Sequence, residues 1–132
     1  MAQELGVDGV DLNLGCPQRR ASENHYGAYM TDRCDWQLCY EMIKRVCQDH
    51  RVTIPITAKI RLLCSLDDTI EFALLLRDAG ASMITVHGRT RGKDDARRDG
   101  SADLTQVRAV IEALKSQNCP VVTNGNVRYV LL

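Results

Sequence analysis

The chain has 132 residues, of which 45% are hydrophobic, and this is enough for one globular domain with its own core. Lys and Arg total 17, as do Asp and Glu, so the formal net charge is zero and overall charge does not indicate a nucleic-acid-binding protein. No apolar run of about 18 residues is present, and the first residues lack the basic and apolar regions of a signal peptide. We therefore expect no membrane association and a cytoplasmic location, with the nucleus as a further location.

The six cysteines include no Cys-x-x-Cys pair and are too sparse for a short disulfide-stabilised domain. Cys34, Cys39 and Cys47 lie in one predicted helix at spacings of five and eight residues. We expect these cysteines to be reduced and to pack in the protein, and we expect no metal site. A zinc site remains the alternative at these three positions.

Short apolar runs alternate with longer amphipathic stretches along the whole chain. The pattern predicts strands over residues 9–13, 55–61, 82–87 and 121–124, and helices over residues 35–48, 67–79 and 103–116. Asp35 is the expected N-cap of the first helix, and Gly80 is the expected C′ residue of the second.

The β-α-β-α-β-α-β order predicts parallel strands covered by helices, which is the α/β class. Two architectures fit this order, a doubly wound open sheet and a TIM (β/α)8 barrel. All four predicted strands end in polar, chemically capable residues. Barrel enzymes place their chemistry at the carboxyl ends of successive strands, so the pattern favours a partial TIM barrel with about four βα units.

A complete barrel needs eight strands and about 250 residues. Residues 1–6 look like the end of a helix, and residues 129–132 look like part of the next one. We therefore expect residues 1–132 to be a fragment of a barrel domain.

Four ordered motifs resemble those of the tRNA-dihydrouridine synthase family. They are residues 11–17 (Asp-Leu-Asn-Leu-Gly-Cys-Pro), 59–61 (Lys-Ile-Arg), 87–90 (His-Gly-Arg-Thr) and 124–126 (Asn-Gly-Asn). The residues after Cys16, Pro-Gln-Arg and later His-Tyr-Gly-Ala at 25–28, look most like the eukaryotic branch that acts on the 16/17 pair of the D-loop. The resemblance covers nearly the whole chain.

The resemblance implies an FMN-dependent oxidoreductase that uses NADPH or NADH to reduce uridine to dihydrouridine in tRNA. Cys16 would be the catalytic proton donor, protonating C5 of the uracil while reduced flavin delivers hydride to C6. The family also has a helical C-terminal domain that contributes to tRNA binding, and it is absent from these 132 residues.

Cofactor and substrate contacts follow from the other motifs. The resemblance implies that Lys59 and His87 contact the flavin, Lys59 by stabilising its reduced anion. The loop of Asn124, Gly125 and Asn126 would hold flavin phosphate, although the family usually has Asp where this chain has Asn126.

The expected substrate contacts are Asn13, Arg61 and Arg89. A flavin contact is the alternative for Asn13, and a phosphate or flavin contact is the alternative for Arg61 and Arg89. The basic loop over residues 89–98 is a candidate for the RNA backbone, with a solvated loop as the plain alternative. Tyr26 could stack on an unpaired base.

Two other functions fit the sequence. One is a different FMN barrel, such as a dihydroorotate dehydrogenase, which also has an Asn and a Cys-Pro stretch. The other is a non-catalytic RNA-binding fragment. Because several strands of the flavin site are missing by resemblance, we expect the isolated 132-residue chain not to retain FMN.

Overall fold

A computed structural model describes residues 2–92 and 100–125 of the chain. Its strands are β1 (Val10–Leu14), β2 (Ile56–Arg61), β3 (Ile84–His87) and β4 (Val121–Asn124). Its helices are α1 (Arg19–Glu23), α2 (Trp36–Gln48), α3 (Leu66–Asp78) and α4 (Leu104–Lys115), with 3-10 turns at Ala2–Leu5, Gly27–Met30 and Arg33–Asp35.

The four strands form one parallel sheet in the order β1-β2-β3-β4, with α2, α3 and α4 as the crossovers. Each strand pairs with the next one along the chain, which is the barrel order and not the reversing order of a doubly wound sheet. The prediction of an α/β partial TIM barrel with about four βα units is confirmed, and the predicted element bounds agree within one or two residues.

Three details differ from the predictions. Asp35 occupies the predicted N-cap position of α2, but its side chain makes no capping hydrogen bond, and its Oδ2 lies 3.0 Å from His25 Nε2. Cys34 is exposed, which contradicts the expected packing, whereas Cys39 is buried. Among the described residues at the start of the chain, Ala2–Leu5 form a 3-10 turn and not an α-helix end. Three predicted features lie outside the described residues: Asn126, residues 129–132, and positions 93–98 of the basic loop at 89–98.

One face of the sheet is apolar and packs against the helices. Strand side chains alternate between the two faces, so Ala58, Ile60, Ile84 and Val86 share this face and are buried. They join one core with the inner sides of the helices, which contribute residues such as Ile43, Phe72, Leu76, Val107 and Val110. Trp36 begins α2 and its ring lies 5.1 Å from the ring of Phe72.

The other face of the sheet carries mainly polar side chains. Asp11 and Asn13 on β1 are in register with Thr57 and Lys59 on β2, and the Thr57 hydroxyl donates to Asp11 Oδ1 at 2.7 Å. Further along the strands, Arg61, His87 and Asn124 are in register on β2, β3 and β4. Because the strands are parallel, this row lies at the carboxyl edge of the sheet, where barrel enzymes place their active sites.

The described residues contain no helix with the length and apolarity needed to cross a membrane.

Candidate active site

Cys16 lies in the turn that follows β1, and neighbouring groups fix the backbone of this turn. The Gly15 N–H donates to Asn13 Oδ1 at 3.0 Å, and the Gly15 carbonyl accepts from Arg61 Nε at 2.7 Å. The Cys16 carbonyl accepts the Ala28 N–H at 3.0 Å. The thiol is half-buried. Hydrogen bonds to Asn13, Arg61 and Ala28 therefore fix the backbone on both sides of Cys16.

Gly27 packs directly against Cys16. Its φ is +63°, a left-handed conformation, and a Cβ atom placed there would lie 2.8 Å from Cys16 Cβ and 2.9 Å from Cys16 O. A side chain at this position would push the cysteine out of place. Glycine is required here for both its backbone freedom and its lack of volume.

Arg61 is buried at the end of β2, and its guanidinium joins two loops. Besides the Gly15 carbonyl it bonds the Thr90 carbonyl, with Nη1 donating at 3.1 Å. Burial, with the nearby Arg89, lowers the pKa of Arg61 from its ordinary value, yet an arginine stays charged at any working pH. The loop bearing Cys16 and the loop after β3 are thus held together by one buried cation.

Lys59 lies beside the Cys16 turn on the polar face. A Cβ atom at Gly15 would be 3.4 Å from Lys59 Nζ, which places the ammonium group next to that glycine. Burial first, and then the charge of Arg61, lower the pKa of Lys59, while Asp11 opposes this effect. A half-buried ammonium beside another cation gains most from a negatively charged ligand.

His87 ends β3 and presents a neutral imidazole. Its Nδ1 accepts the Arg89 N–H at 3.2 Å, so in the neutral ring the proton resides on Nε2, which is then a donor. Burial, followed by the charges of Arg61, Lys59 and Arg89, lowers the pKa of His87 from 6.5 to about 4. Gly125, at φ +112°, approaches this ring so closely that a Cβ there would lie 3.1 Å from His87 Cε1.

The remaining predicted residues occupy less enclosed positions. Arg89 is half-buried and its Nε donates to the Gly100 carbonyl at 2.7 Å. Asn124 is exposed at the end of β4, and its carbonyl accepts the Gly88 N–H at 2.9 Å. Asn126 lies outside the described residues. The fold therefore brings Asn13, Cys16, Lys59, Arg61, His87 and Asn124 to one edge of one sheet face.

Arg91 is a structural residue of the site that the sequence alone did not single out. Its Nη1 donates to the Ala28 carbonyl at 3.1 Å and to Asp32 Oδ2 at 3.2 Å, and its guanidinium lies 4.8 Å from the centre of the Tyr29 ring. It ties the loop after β3 to the segment that backs Cys16. The only signal in the sequence was its membership of the basic loop at 89–98.

The described residues contain no cluster of three or more His, Cys, Asp or Glu side chains that could hold a metal ion.

Replacing Gly27 by alanine will destabilise the chain more than the same change at Gly6. Both glycines have φ above +60°, so both variants carry a backbone penalty of about 1 kcal/mol. Only Gly27→Ala adds the clash with Cys16, because nothing lies within 4 Å of a Cβ at Gly6. We expect an additional loss of about 1–3 kcal/mol in the free energy of unfolding, measured with chemical denaturant. Equal losses in the two variants would show that Gly27 does not constrain the cysteine.

Acid will weaken the folded chain through His87. The folded chain holds the pKa of His87 at about 4, below its ordinary value of 6.5, so the unfolded chain binds the proton more readily. The contribution of His87 to the free energy of unfolding is therefore fully present above pH 6.5 and is lost as the pH falls from 6.5 towards 4. The variant His87→Gln has no such pH-dependent loss. Its free energy of unfolding relative to that of the unsubstituted chain should therefore increase as the pH falls from 6.5 to 4, measured by denaturant titration. A stability difference that does not change with pH would contradict the neutral imidazole.

A family model described as "Dihydrouridine synthase (Dus)" matches residues 1–131. The chain is 38% identical over 128 residues to a mouse protein named "tRNA-dihydrouridine(16/17) synthase [NAD(P)(+)]-like", covering 97% of this chain and 25% of the mouse protein. It is 34% identical over 122 residues to the Saccharomyces cerevisiae "tRNA-dihydrouridine(16/17) synthase [NAD(P)(+)]", covering 92% of this chain and 27% of the yeast protein. The chain thus spans about a quarter of the length of these relatives.

Among solved structures, the chain resembles YagE, a prophage protein of the dihydrodipicolinic acid synthase family from E. coli K12, crystallised with pyruvate. The TM-score is 0.59 at 18% identity, covering 92% of this chain and 34% of YagE. At this identity the likeness concerns the fold alone, and it agrees with a partial TIM barrel.

Proposed function

Because this chain belongs to the dihydrouridine synthase family, and resembles its eukaryotic 16/17 branch, we propose that it forms the proton-donating part of a tRNA-dihydrouridine synthase active site. The reaction is the reduction of uridine to dihydrouridine in the tRNA D-loop, at a 16/17-type position. The observation that carries the proposal is the placement of Cys16. Its turn is fixed by Arg61 and Ala28 at the sheet edge that also presents Lys59 and His87. The dihydroorotate dehydrogenase alternative loses its support, because the family model assigns the chain elsewhere.

FMN fits the chemistry of the groups at this edge. Lys59 offers an ammonium group, His87 offers an Nε2–H, and Asn13 offers its amide NH2 because its oxygen already accepts from Gly15. All three are hydrogen-bond donors, which matches the carbonyl-rich pyrimidine edge of a flavin. We propose that Asn124, Gly125 and Asn126 hold the phosphate end of the cofactor.

The proposed reduction adds one hydride and one proton across the C5–C6 double bond of uracil, the hydride from the cofactor and the proton from the protein. When bound and reduced by NADPH or NADH, the flavin supplies hydride to C6 of the uracil. The Cys16 thiol gives its proton to C5, so a C–H bond forms as the S–H bond breaks and the sulfur is left as a thiolate. Lys59, beside the same turn, stabilises negative charge on the ligand edge it contacts.

Substrate binding requires the target uridine to leave its stack and enter this edge of the sheet. We propose that Asn13 and Arg89 contact the tRNA nucleotide, together with any donor of Arg61 not used by the Gly15 and Thr90 carbonyls. The overall net charge of zero means that backbone contacts must come from local cations, such as the basic loop at 89–98.

The setting of this domain is also part of the proposal. We take residues 1–132 as part of an FMN-binding barrel domain whose tRNA contacts are completed by a helical C-terminal domain. The reaction needs no metal ion. The proposed location is the cytoplasm or the nucleus, where tRNA is available.

Replacing Cys16 by alanine in the protein that carries this domain tests the proposal. General acid catalysis contributes about 10²- to 10⁴-fold to a rate, so dihydrouridine formation on unmodified tRNA should fall by about that factor. Flavin absorbance should be unchanged, because the thiol is not among the proposed flavin-binding groups. The measurement is dihydrouridine content per tRNA against time, with FMN and NADPH supplied.

The matched control is Cys34→Ala, which removes an exposed thiol away from the Cys16 turn. Its rate should equal that of the unsubstituted protein. A Cys16→Ala rate equal to the control would show that Cys16 is not the proton donor. Absence of dihydrouridine formation in the unsubstituted protein would favour the non-catalytic RNA-binding alternative.

A further inference from the structure

A cavity of about 640 Å³ lies between the loops that follow β1, β2 and β3, with Arg61 in its wall. It is lined by Trp36 at the start of α2, Leu62 and Cys64 after β2, and Arg91 after β3. Its volume is in the range of small-molecule sites. None of the proposed flavin contacts lines it, so it is a separate space from the flavin-binding edge.

Two residues that line the cavity also contact the Cys16 turn. Arg61 donates to the carbonyl of Gly15, and the Ala28 N–H donates to the carbonyl of Cys16. A group bound in the cavity would therefore lie immediately behind the catalytic turn. A site this close to Cys16 suits a group of the substrate that is adjacent to the reacting group better than it suits a distant part of the substrate.

The lining favours a flat, uncharged ligand. Arg33 lies 4.5 Å from the centre of the buried Trp36 ring, and Arg91 lies 4.8 Å from the centre of the Tyr29 ring, which is not part of the cavity wall. The flat groups that the cavity offers a ligand are therefore the guanidinium groups of Arg33 and Arg91. Leu62, Leu63 and Ala28 supply an apolar wall. Unpaired RNA bases stack on arginine guanidinium planes as they do on aromatic rings.

The charges around the cavity argue against a phosphate. Arg33 bonds Asp68, with Nε donating to Oδ1 at 3.0 Å, and also bonds Glu71 at 2.6 Å. Arg91 is paired with Asp32 at 3.2 Å. Because Asp32 and Asp68 themselves line the cavity, an entering phosphate would meet two carboxylates next to cations that are already paired.

We propose that this cavity binds an unstacked nucleobase that flanks the target uridine of the tRNA substrate. The inference rests on the proposed function for the identity of the substrate, and it adds a second base-binding site behind the Cys16 turn. Holding the flanking base would keep the strand open while the target uridine occupies the flavin-binding edge.

Trp36 makes the proposal directly testable, because it is the single tryptophan of the chain and it lines the cavity. The probe is a seven-nucleotide single-stranded RNA with a central uridine, titrated into the 132-residue chain while Trp36 fluorescence is recorded. We expect saturable quenching by the intact RNA, and binding about tenfold weaker when both nucleotides flanking the uridine are abasic. Inorganic phosphate should leave the fluorescence unchanged.

Cys64→Phe is the cavity-filling variant, because Cys64 lines the space and lies outside the proposed catalytic and flavin-binding groups. Ser116→Phe adds the same ring at an exposed position at the end of α4. We expect binding to weaken about tenfold in Cys64→Phe and to stay unchanged in Ser116→Phe.

Equal quenching of Cys64→Phe and the unsubstituted chain, equal quenching by abasic and intact RNA, or saturable quenching by inorganic phosphate would each overturn the proposal. The readout needs neither flavin nor turnover. Failure here therefore leaves the uridine-reduction proposal standing, and failure of uridine reduction leaves this measurement interpretable.

Discussion

The arrangement of the site depends on the buried guanidinium of Arg61 between two backbone carbonyls. Burying a cation is costly unless its donors are satisfied, and the carbonyls of Gly15 and Thr90 satisfy two of them at 2.7 and 3.1 Å. Those carbonyls belong to the loop that carries Cys16 and to the loop that follows β3. One side chain thus fixes the separation of two loops that are far apart in sequence, and the sheet places it at the edge where both loops begin.

The charge of Arg61 also lowers the pKa values of the neighbouring Lys59 and His87. Arg61 disfavours the charged forms of Lys59 and His87, whose pKa values are both lowered mainly by burial and then by this charge. His87 consequently remains neutral and donates through Nε2, while Lys59 gains from any negative charge brought to it. A ligand that accepts hydrogen bonds and carries negative charge suits this edge of the sheet, and the proposed flavin has both properties.

The sequence was sufficient to predict the regular elements and the gathering of the polar strand ends at one edge of the sheet. Strands such as β2 and β3 could be predicted because short apolar runs interrupted by polar positions stand out between amphipathic helices, and their parallel order placed the polar strand ends at one edge. The sequence did not show that Arg61 is occupied by backbone carbonyls, that Arg91 braces the segment behind Cys16, or that Gly27 touches the cysteine. Those contacts join distant residues, and no local pattern encodes them. The N-cap position at Asp35 was predicted, but not that its carboxylate would contact His25 from another loop in place of the first turn of α2.

We propose that Arg61 contributes more by holding the Cys16 turn, through its bonds to the Gly15 and Thr90 carbonyls, than by any contact of its remaining donors with tRNA. Steady-state kinetics of Arg61→Lys with unmodified tRNA separate the two roles, because lysine keeps the charge but cannot bond both carbonyls in the same planar geometry. A misplaced catalytic group costs about a hundredfold in rate. The account predicts a fall of that size in kcat with KM for tRNA nearly unchanged. A large rise in KM with kcat preserved would contradict it and would assign Arg61 to substrate binding instead.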